Sequence, residues 1–78
     1  PNPFSESTRI EYSLKKSSQV SINIYDIFGR MIFSENLGMC LPGENGFNWT
    51  ADELPQGVYN VVINAGEYSA QIKAVLVR

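Results

Sequence analysis

Histidine is absent from the sequence, and cysteine occurs once, at Cys40. The first absence removes the usual general base near neutral pH and the commonest metal ligand. A single cysteine excludes an internal disulfide framework and any cysteine-rich zinc site. With no imidazole to ionise it, the Cys40 thiol is a poor nucleophile and reads as a small packed or half-exposed side chain. Charge is also sparse: six basic and eight acidic residues give a net charge of −2. There is no basic cluster, Lys15-Lys16 being too small a patch, which argues against nucleic acid or an anionic membrane as partner. No apolar run approaches the ~18–20 residues of a membrane span, and the start lacks a signal-peptide profile. What remains is 78 residues, 44% hydrophobic and 12% aromatic, enough for one small domain with a lean core. The chain opens with Pro1 rather than Met, and it is read as a piece of a longer protein.

Alternation of apolar and polar residues is the dominant pattern. Ile10, Tyr12 and Leu14 mark a first half-buried strand, followed by a polar turn over 15–18. Val20, Ile22 and Ile24 mark a second. Asp26 to Arg30 is a connection, with Gly29 suited to positive φ. Residues 31–33 form a third strand of undetermined phase. Residues 37–46 read as a loop, with Pro42-Gly43 and Asn45-Gly46 as turn dipeptides. Phe47 and Trp49 alternate in a short strand, and 51–57 connect it to Tyr59, Val61 and Ile63. Ala65-Gly66 suggests a tight hairpin. A long final strand over 68–77 places Ala70, Ile72, Ala74 and Leu76 on one face. No helical period is sustained. Six to seven short strands at about ten-residue spacing predict an all-β, immunoglobulin-like antiparallel sandwich, a single domain over 1–78.

Each chemical constellation has a structural reading. Leu54-Pro55-Gln56-Gly57-Val58-Tyr59 predicts a tyrosine corner, in which Tyr59 bonds its hydroxyl to upstream backbone and Gly57 supplies the bend. Trp49 is expected in the core, because so small a domain needs its area. Asn48-Trp49-Thr50 matches a glycosylation pattern but lies in a strand. Asp52-Glu53 and Glu44 are solvated loop charges, with neither the separation of a glycosidase pair nor the loop of a calcium site. Asn2-Pro3 biases residue 2 toward extended geometry. Asp26 is expected to accept backbone N–H bonds in an Asx turn beside Gly29. Arg30 is open between capping carbonyls, pairing with a carboxylate and meeting a partner. No catalytic set, metal site or cofactor site emerges.

The blocks in order carry a resemblance. Pro1-Asn2-Pro3-Phe4 opens the chain, and a strand with Thr8, Ile10 and Tyr12 follows. Then come Tyr25-Asp26-Ile27-Phe28-Gly29-Arg30, Leu54-Pro55-Gln56-Gly57-Val58-Tyr59 and a strand ending in Leu76-Val77-Arg78. The whole resembles the type A C-terminal sorting domain of the type IX (Por) secretion system of Bacteroidota, with a relative in the Ig-like domain of flagellar hook-capping proteins. The resemblance implies a non-catalytic module at the end of a secreted cargo protein. It implies passage through the type IX translocon to the cell surface, where a sortase removes the domain. It also implies recognition through the last strand, with Lys73, Val75, Val77 and Arg78 exposed if Ala74 and Leu76 point inward. A pair of basic residues is frequent in that strand of the family; here Lys73 follows Ile72. The alternative is an accessory Ig-like spacer or a carbohydrate- or protein-binding module, with Tyr25, Phe28, Phe33 and Tyr68 as its aromatic platform.

Overall fold

A computed structural model describes residues 3–78; the expectation for Asn2 lies outside them. Six strands and no helix appear among these residues: β1 (Ser7–Leu14), β2 (Ser18–Tyr25), β3 (Met31–Cys40), β4 (Gly43–Thr50), β5 (Gly57–Ala65) and β6 (Tyr68–Leu76). Alternation forms them, because a period of two puts every second side chain on the face that a second sheet can cover. In β2, Val20, Ile22 and Ile24 are buried; in β5, Tyr59, Val61, Ile63 and Ala65 are.

The strands form two antiparallel sheets. One is the pair β1-β4; the other has the order β3-β2-β5-β6. Ile10 faces Phe47 across the small sheet, and Ile22 sits between Glu35 and Ile63 in the large one. The sandwich encloses Trp49 with Phe4 and Tyr59 around it, at ring-centroid distances of 5.5 and 5.7 Å. The expected core placement of Trp49 therefore holds, at 2% exposure.

Two expectations need correction, and one open point is decided. Residues 37–46 are not a loop: β3 continues to Cys40 and β4 begins at Gly43. The turn-forming residues are spent inside the strands. Gly38, at φ +74°, sits at a register shift opposite Val20. Asn45 donates its Nδ2 to the carbonyls of Leu41 and Gly43, at 2.9 and 3.2 Å, and so braces the crossing between sheets. The phase of β3 was unreadable because Ile24 pairs with Phe33 and Tyr25 with Met31, which leaves Ile32 as an extra residue. Finally, the inward face of β6 is only half covered. Ala74 and Leu76 are buried, but Ala70 is exposed and Ile72 is 39% exposed. Two strands cannot cover four.

Candidate recognition site

Three of the sequence blocks that carry the resemblance meet at one end of the sandwich. There β2 turns into β3, β4 passes to β5, and β6 ends. The β2–β3 turn is organised by Asp26. Its Oδ1 accepts the backbone N–H of Phe28 at 2.9 Å and of Arg30 at 3.0 Å. Its Oδ2 accepts Arg30 Nε at 2.8 Å. Gly29 closes the turn by donating its N–H to the Asp26 carbonyl at 3.0 Å, and its φ of +80° is one that a Cβ would strain. Desolvation pushes the Asp26 carboxyl upward. The Arg30 backbone N–H, the Arg30 side chain, the Phe28 N–H and the Arg30 charge together outweigh it, so the carboxyl lies below its ordinary range. The expected Asx turn is present, and Arg30 takes the carboxylate-pairing option of its three. Its guanidinium also lies over the Phe28 ring, 5.3 Å from the centroid. The turn thereby presents Ile27 and Phe28 outward, 71% and 76% exposed.

The β4–β5 connection is fastened from within. Tyr59 donates its hydroxyl to the Pro55 carbonyl at 2.5 Å, the expected tyrosine corner, and its ring is buried. Gly57 supplies the bend with φ +154°. A groove of about 220 Å³ runs between this connection and the β2–β3 turn, with Ile32, Leu54 and Pro55 in its walls.

The last residue closes the same end. Arg78 donates Nε to the Leu54 carbonyl at 2.9 Å and Nη2 to the Asp52 carbonyl. Sequence reasoning missed this staple; a single arginine after the last strand carries no periodic signal. It also missed the placement of Phe4. The Phe4 N–H donates to Val75 O at 2.9 Å, its carbonyl accepts Val77 N–H at 2.8 Å, and its ring is buried against Trp49. Phe4 thus lies beside Leu76 as a short parallel addition to β6.

Comparison with family models then decides the identity: the model described as the secretion system C-terminal sorting domain matches residues 1–78. The chain belongs to this family, the sorting domains of type IX (Por) secretion. Comparison with curated proteins and with solved structures gives no match.

In this sorting domain Lys73, Val77 and Arg78 are exposed, whereas Val75 is half-buried. The expectation of four exposed residues therefore fails at Val75, whose carbonyl is covered by the Phe4 backbone. Asp26, Arg30, Gly57 and Tyr59 line the groove, while Gly29 closes the turn beside it. The four aromatics considered as a platform do not share a surface. Phe33 is half-buried and packs on Phe47 at 5.7 Å. Phe28 stands on the β2–β3 turn and Tyr68 at the start of β6, at opposite ends of the sheet. Cys40 is a half-exposed thiol, as expected, 3.8 Å from the Tyr12 hydroxyl.

Proposed function

We propose that this sorting domain is a non-catalytic export signal that directs an N-terminally linked cargo through the type IX translocon to the cell surface, where a sortase acts on it. The observation that carries the reading is the family match over 1–78. Recognition takes place at the end where the motifs meet, through Lys73 of β6 and Val77 just after it, together with the rigid tip formed by Ile27, Phe28 and Arg30. Arg78 acts twice in this reading, as an exposed cation and as the staple on the Leu54 and Asp52 carbonyls. Val75 contributes backbone rather than side chain.

The test is export. Residues 1–78 are fused behind a fluorescent protein carrying its own inner-membrane export signal and expressed in Bacteroidota strains with and without the translocon. Surface or medium fluorescence confined to the intact strain supports the reading. Retention in the periplasm of both strains, with the domain folded, overturns it. Within an exported fusion, Phe28→Ser and Lys73→Ala with Val77→Ser are expected to cut export while the purified domain still melts cooperatively. Unchanged export in both variants would remove this end from recognition.

A further inference from the structure

One edge of the large sheet carries a charge where alternation calls for an apolar residue. That edge is β3, which among the described residues pairs with β2 alone, on the flank away from β6 and Phe4. Residues directly opposite each other in an antiparallel pair point to the same face. Phe33 pairs with Ile24 and Glu35 with Ile22, and both β2 residues are fully buried. Glu35 therefore stands on the inner face of the sheet. Its neighbours in that row, Phe33 and Leu37, pack against the core, whereas Glu35 is exposed and in no ion pair among the described residues. A valine or threonine there would continue the apolar row and suit a strand better.

The rest of this edge is interrupted. The register of β3 against β2 shifts between Val20 and Ser21, which leaves Leu37 extra, and between Ile24 and Tyr25, which leaves Ile32 extra. Bulges twist an edge away from the flat template that another strand needs. The stretch that stays regular is 33–36, and Glu35 lies within it. Two copies of this edge would pair antiparallel about a two-fold axis. The register that joins their inner rows sets Phe33 of each copy opposite Leu37 of the other. It also sets the two Glu35 side chains directly opposite each other, with Cβ atoms about 5 Å apart, where like charges destabilise a sheet. Met31 and Met39 flank the stretch at 54% and 61% exposure, so without the charge the edge would offer apolar surface as well as backbone.

We propose that Glu35, with the bulges at Ile32 and Leu37 on either side, is a guard that keeps β3 from pairing with β3 of a second copy of this chain. The excluded occupant is a second copy because the edge is otherwise self-complementary. Phe33 and Leu37 match across the two-fold axis, and the conflict lies in the charge at its centre. Glu35 acts by repulsion between copies rather than by any contact within one. The guard sits in the middle of β3 and does not depend on the recognition surface proposed above.

The test compares the 78-residue chain with its Glu35 variants by sedimentation across a dilution series, with backbone amide NMR shifts recorded in parallel. Cooperative melting establishes that each variant is folded. Glu35→Val removes the charge and completes the apolar row. It is expected to form dimers with Kd below about 100 μM, with the largest shifts from Phe33 to Asn36. The wild type stays monomeric at that concentration. So does Glu35→Lys, which sets two ammonium groups opposite each other and restores the repulsion with the other sign. Should the valine variant fail to fold, Glu35→Gln serves instead, keeping the shape of the side chain and removing its charge. A neutral variant that is folded and monomeric overturns the proposal. So do Glu35→Lys dimers as tight as those of the neutral variant, which would make the charge irrelevant. Wild-type association with shifts over 33–36 overturns it as well, because the guard would then not hold.

Discussion

At one end of this sandwich the two sheets are tied together by Phe4 on β6, Tyr59 on Pro55 and Arg78 on Leu54 and Asp52. At the other end a groove opens between residues of β1 and β6. The strands are the same at both ends; the cross-connections differ. The tied end holds Trp49, Phe4 and Tyr59 in mutual ring contact, whereas the open end leaves Tyr68 at 70% exposure. In a domain of this size a core cannot be uniformly thick. This chain concentrates its aromatic core where its sequence motifs lie, and leaves a groove between the sheets at the far end.

If that contrast is real, removing the Phe4 ring should have the largest effect. Phe4→Ala is expected to cost about 3–5 kcal/mol, enough to abolish a cooperative transition in a domain whose total stability is only about 5 kcal/mol. Retention of the wild-type denaturation midpoint would show that the two sheets are held together elsewhere. Tyr59→Phe comes next, at about 1–3 kcal/mol, because the Pro55 carbonyl loses its donor; urea melts monitored by Trp49 fluorescence would read it. Along a single strand, Ala74→Ser should cost about 1–2 kcal/mol by burying a hydroxyl. Ala70→Ser, four residues earlier, should stay within about 0.5 kcal/mol. Equal effects at the two positions would erase the distinction between the ends.

Titration sharpens the same contrast, with smaller effects. Asp26 at the tied end has a carboxyl held below its ordinary range. Its contribution is therefore present above the ordinary carboxylate range and is lost as pH falls through the depressed value. Acid should lower the melting temperature of the wild type more than that of Asp26→Ala. Tyr12 in the wall of the open groove behaves oppositely. Desolvation first, then the hydrogen bond and charge of Cys40, push its phenol from 10.0 up to about 12. The folded state keeps this proton after the unfolded chain has lost it, so stability falls as pH rises from 10 through about 12. The Tyr12→Phe variant should lack that alkaline component, and identical alkaline slopes would contradict it.

The tied end was more legible in the sequence than the open one, and the reason is local chemistry. An Asx turn is written in a few neighbouring residues, since Asp26, Gly29 and Arg30 interact within one turn. A tyrosine corner joins residues only four apart. Alternation made the inward sets of β2 and β5 readable for the same reason. The staples at Phe4 and Arg78 depend on residues far away in sequence, and no periodicity announces them. The reach of β3 was hidden because Gly38, Asn45 and Gly46 carry turn-like identities while serving as a bulge, a brace and a strand position. The exposure of Ala70 and Ile72 was hidden too: the pattern says which face a residue is on, not whether another sheet lies over it.

The parallel pairing of Phe4 with Leu76 also sets an order of events. A contact between residues this far apart in sequence closes a long loop, and such contacts slow folding. Until β6 is in place, Phe4 has no strand to join and the Leu54 carbonyl has no guanidinium. The middle strands can therefore pair before the sandwich is locked, and the ring of Phe4 reaches Trp49 only when the most distant segments have met.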